Sequence, residues 1–75
     1  MNNRMSTVSK AAARVRIARF ESLAASKELR AHMKNVNLDL IHEDSLLPVL
    51  RNNADIARGN HRAAVISLAA VVAAQ

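Results

Sequence analysis

The sequence predicts an all-α protein: a small helical bundle with a long basic N-terminal helix and a C-terminal helical hairpin. Three observations lead there. Phe20 is the only aromatic residue, Gly59 the only glycine and Pro48 the only proline among 75 residues, whereas sheet proteins draw on aromatic and β-branched residues and glycine-rich turns. Apolar residues between Val8 and Leu29 recur at spacings of three and four, the rhythm of helix packing. Residues 63–74 are apolar on every side, with Ser67 the one polar group. A helix apolar all round is expected to be buried all round.

The length makes one domain, spanning residues 1–75. A chain this short buries only about 60% of its unfolded surface. It contains no cysteine, which excludes disulfides and zinc–thiolate sites as reinforcement and fits a reducing, intracellular compartment. Self-association, or assembly into a larger protein particle, is the reinforcement left.

Residues 1–6 read as a polar start, with Ser6 or Thr7 able to cap a helix over residues 7–34. This helix carries two apolar seams. One is Ala13, Ile17, Phe20 and Ala24; the other is Val8, Ala11, Val15, Ala18, Ser22, Ala25 and Leu29. Two seams on different sides call for neighbours on two sides. A break near Ser26 is the alternative, because serine can cap a second, shorter helix. Asn35 and Asn37 end the helix, and residues 35–44 form a connector in which Leu38, Leu40 and Ile41 fit a helical turn or an extended link.

Residues 45–75 are expected to form the hairpin. Asp44 or Ser45 caps its first helix, and Pro48 falls in the first turn, where a missing N–H costs little. Leu46, Leu47, Leu50, Ala54 and Ala57 make its buried stripe, and Arg51 and Asp55 stand four apart as an ion pair. Gly59 is expected to stop that helix in a left-handed conformation, and Asn60 to cap the next.

Charge is divided unevenly. Residues 1–34 hold eight lysines and arginines against two glutamates, net +6, and residues 35–75 hold three arginines against four acids, net −1. Arg16, Arg19, Lys27, Arg30 and Lys34, with Leu23 among them, fall at spacings of three and four. On an unbroken helix they form an acid-free ridge about 27 Å long. Such a ridge suits an acidic protein surface or a phosphate backbone; otherwise it is a solvated face that keeps the protein soluble. No aromatic residue is interleaved to stack on bases, so nucleic-acid binding would run through the backbone alone. A DNA-reading helix-turn-helix about Gly59 does not fit, because residues 63–74 offer a groove almost no polar side chain.

The last helix has a large side (Val65, Leu68, Val71, Val72) and a small side, Ala63, Ser67, Ala70 and Ala74. The small side either packs on the first helix or forms an oligomer or docking interface. His32, His42 and His61 are not spaced as metal ligands, and Glu28 and His32 are four apart and suited to pairing. There is no phosphate-binding glycine loop or nucleophile elbow, so the sequence implies neither an enzyme nor a cofactor. The apolar run of 12 residues falls short of the ~20 needed to span a membrane. Residues 1–20 lack acids, as mitochondrial transit peptides do, and no apolar secretory core follows the basic start. The expected function is a non-enzymatic interaction protein. It self-associates or docks through its apolar C-terminal helix and meets an acidic partner through its basic first helix. The alternatives are a structural subunit of a large assembly such as a virion, and a nonspecific nucleic-acid binder.

Overall fold

The computed structural model describes residues 3–75, with side chains from Thr7 onward. Two long helices, α1 (Asn3–Lys34) and α2 (Leu46–Ala73), lie antiparallel against each other. A short 3-10 segment, Leu38–Glu43, connects them. The result is a rod of 59 × 17 × 13 Å.

α1 begins at Asn3, upstream of the expected cap at Ser6 or Thr7, so residues 3–6 are helical and not an unpatterned start. It runs unbroken through Ser26. It stops after Lys34, where the Asn35 side-chain amide donates to the Ala31 carbonyl at 3.2 Å and the backbone N–H of Asn35 to His32 at 3.0 Å. Asn37 then opens the 3-10 segment, its Oδ1 accepting the Asp39 N–H at 3.0 Å. Asp44, not Ser45, supplies the side-chain cap of α2: its Oδ1 accepts the N–H groups of Leu46 and Leu47, each at 3.0 Å.

The expected hairpin within residues 45–75 is not formed: residues 46–73 are one helix, and the chain reverses at residues 35–45 and not at Gly59 and Asn60. Both of those residues sit inside α2, and Gly59 does not adopt a positive φ. A glycine inside a helix costs about 1 kcal/mol relative to alanine. Against that stands the cover of α1, whose 32 residues are about 48 Å long. Only a second helix of similar length covers it, and a turn at Gly59 would have left half of α1 bare. The seam also passes Gly59 without interruption, since Ala57, His61 and Ala64 hold the four–three spacing while Gly59 and Asn60 face outward.

The contact between the helices is a pair of matched seams. α1 contributes Val8, Ala11, Val15, Ala18, Ser22, Ala25, Leu29 and His32, all buried or half-buried. α2 contributes Leu47, Leu50, Ala54, Ala57, His61, Ala64, Leu68 and Val71, likewise. Ala11, Leu47, Ala54 and Ala57 are the buried members, and Ala54 is fully enclosed. Small residues at the contact let the backbones approach closely, which explains so thin a core.

Several expectations change accordingly. Of the seam Ala13, Ile17, Phe20 and Ala24, Ala13 is half-buried and the other three are exposed, Phe20 at 73%. Residues 63–74 are not buried all round: Ala64, Leu68 and Val71 turn toward α1 and the rest face outward. Leu46 leaves the buried stripe, because it precedes Leu47 and points to the flank.

Candidate functional site

Each helix exposes two flanks beside its seam, and sequence offset decides which is which. In an antiparallel pair, residues one position after a seam residue lie on the same side of both helices, and residues one position before it lie on the other. On α1 the first side carries Arg16, Arg19, Leu23, Arg30 and Met33, each following a seam residue. On α2 it carries Arg51, Asp55, Arg58, Arg62, Val65 and Val72 by the same rule. One broad side of the rod therefore presents six arginines and, from these two flanks, a single acid.

The connector sets the level of the two rows. His32 Nε2 meets Asp44 Oδ2 at 2.7 Å. Counting down both helices from that contact puts Arg19 beside Arg58, and Arg16 between Arg58 and Arg62. Arg58 also pairs with Asp55, three residues before it on an exposed face. The sequence-expected partner of Asp55 was Arg51; Asp55 takes Arg58 instead. The other expected pair, Glu28 with His32, is replaced by His32 with Asp44, because His32 faces the seam while Glu28 stands on its flank.

All five residues of the sequence ridge, Arg16, Arg19, Lys27, Arg30 and Lys34, are exposed on one unbroken helix. They are not all on one side of the hairpin. Arg16, Arg19 and Arg30 flank the seam, whereas Lys27 and Lys34 sit two positions past it, on the outer edge of α1 with Phe20. A shallow apolar hollow lined by Phe20, Leu23, Ala24 and Lys27 joins that edge to the arginine side. Arg51, Arg58 and Arg62 were absent from the sequence ridge. Their signal lay in their offset from Leu50, Ala57 and His61, which has meaning only once α2 is one helix.

The opposite side is nearly uncharged on α2. There Leu46, Val49, Asn53, Ile56, Asn60, Ala63, Ser67, Ala70 and Ala74 follow one another at three and four, all exposed. The small-residue stripe Ala63, Ser67, Ala70 and Ala74 is the C-terminal half of this second seam and does not pack on α1. On α1 the same side carries Lys10, Arg14, Ile17, Glu21, Ala24 and Glu28.

Asp44 has a shifted pKa. Its carboxyl is held below the ordinary 3.8, chiefly by the Leu47 N–H; burial opposes this, and His32 and the Leu46 N–H add to it. Among the described residues no three histidines or acids are grouped to hold a metal ion. No described helix is long and apolar enough to cross a membrane. The chain matches no protein-family model, no curated protein and no solved structure.

Proposed function

We propose that this chain is a non-enzymatic interaction module whose arginine side binds an acidic, amphipathic protein segment. What carries the proposal is the convergence of arginines from two helices onto one side of the rod, interleaved with exposed apolar residues. Arg16, Arg19, Arg58 and Arg62 supply guanidinium groups that pair with carboxylates in a bidentate fork. Leu23, Met33, Val65 and Val72 stand exposed among them. A phosphate backbone has nothing to place against those side chains, while an acidic helix with one apolar edge fills both kinds of site.

The proposal is tested by titrating the protein with three probes: an amphipathic Glu/Leu helical peptide, a Glu/Ser peptide of equal charge, and a 20-base-pair DNA duplex. The Glu/Leu peptide should bind most tightly. Arg19→Ala combined with Arg58→Ala should weaken it by about tenfold or more, given ~1.5–3 kcal/mol for a charge-assisted hydrogen bond. Tighter binding of the duplex, with a steep salt dependence, would replace this proposal with nucleic-acid binding.

A further inference from the structure

The side opposite the arginines calls for a different occupant. A compact chain of 8.2 kDa is expected to expose about 4,500 Å², and this one exposes 6024 Å². Its radius of gyration is 17.2 Å, against about 11 Å for a compact domain of this length. The excess of about 1,500 Å² exceeds the ~800 Å² per partner of a stable interface. Among the described residues no side chain larger than alanine is fully enclosed.

We infer that two copies pair through the side opposite the arginines into an antiparallel four-helix bundle, with the nearly uncharged face of α2 lying on α2 and a two-fold axis at Asn60. The outward seam of α2 is complementary to itself about that point. Its N-terminal half is large and its C-terminal half is small, so reversal sets large on small throughout. Ile56 of one copy meets Ala63 of the other, Val49 meets Ala70, and Leu46 meets Ala74. The polar members also coincide, Asn53 with Ser67 and Asn60 with its own counterpart. Interdigitation of large and small residues is what close packing requires, and a polar residue at a seam position fixes register.

About the same axis α1 brings one opposite-charge pair together, Lys10 with Glu21, and sets Arg14, two residues before Arg16, near its own counterpart. Counting from the His32–Asp44 contact, Asn60 is level with Arg16. Lys10 lies six residues before that level and Glu21 five after, so the axis brings Lys10 of one copy beside Glu21 of the other. The competing arrangement lays α1 of one copy on α2 of the other, which sets Glu21 against Ile56 and desolvates the charge without a partner. This pairing goes beyond the acidic-partner proposal and stands independently of it, because it uses the other side of the rod.

The chain has no cysteine, so single-cysteine variants report the geometry directly. Under mild oxidation Asn60→Cys should give nearly complete covalent dimer. Asn52→Cys, on the outer edge of α2, should give at least tenfold less. Light scattering should return twice the chain mass for the parent and a single chain mass for Ile56→Glu. Circular dichroism of Ile56→Glu cross-linked through Asn60→Cys checks that the variant still forms helix. A single chain mass for the parent at 100 μM would overturn the inference. So would equal cross-linking at the two positions, or dissociation by Arg58→Glu but not by Ile56→Glu. Loss of arginine-side binding with the dimer intact would count against the acidic-partner proposal alone.

Discussion

His32 on α1 donates a hydrogen bond from Nε2 to Oδ2 of Asp44 at 2.7 Å, while Oδ1 of the same carboxylate caps α2. One side chain thus starts the second helix and ties it to the end of the first. Asp44→Ala removes both functions and should lower Tm by about 5 °C. His32→Ala removes only the tie and should lower it less. Thermal melts of the two variants and their combination check this, with the double variant no worse than Asp44→Ala alone.

The same carboxylate makes acid destabilising. Asp44 titrates below 3.8 in the folded chain because Leu47, His32 and Leu46 donate to its ionised form. Its contribution is therefore complete above that value and is lost as pH falls through the lower, folded pKa. Melts between pH 6 and pH 2 should show Tm falling below about pH 4, and falling less in Asp44→Asn.

Gly59 lies inside α2, and a methyl group placed on it meets no atom within 4 Å. Gly59→Ala should stabilise the protein by about 1 kcal/mol, raising Tm by ~4–8 °C. A glycine serving as a left-handed helix stop would give the opposite sign, so this measurement locates the chain reversal.

Ala54 is fully enclosed between the helices. Ala54→Leu forces the backbones apart and should cost about 1–3 kcal/mol in urea melts. Asn52→Leu, on the exposed outer edge, should change stability by no more than ~0.5 kcal/mol.

Arg19 and Arg58 stand on the same side of the rod as like charges, and Arg58 has an exposed partner in Asp55. Such a surface pair adds ~0–1 kcal/mol. Replacing both arginines with alanine should leave stability within ~0.5 kcal/mol while weakening peptide binding about tenfold or more. If stability fell with binding, the arginines would be structural.

The all-helical class, the C-terminal end of α1 and its inner seam were legible because spacing alone defines a face. The connector was legible from Asn35, Asn37, Asp44 and Pro48, whose side chains compete with or cap the backbone locally. Gly59 misled, because a local preference worth about 1 kcal/mol was set against an unseen demand for cover along all of α1. That error carried through the whole C-terminal half. With α2 divided at Gly59, Val49 and Ile56 could not be joined to Ala63 and Ala70, nor Arg58 to Arg19. The two sides of the rod are properties of an uninterrupted register, which no local signal states.

The His32–Asp44 contact also sets an expected order for the folding of the chain. It closes a loop of 12 residues, the shortest any contact between the helices requires. Leu29 with Leu47 comes next, and each further pair adds only about seven residues to a loop already closed. Closure entropy grows slowly with length, so the two helices of the hairpin are expected to pair from the connector toward Val8 and Leu68. The last pairs to form are the first to open, and amide exchange should quicken steadily toward that end.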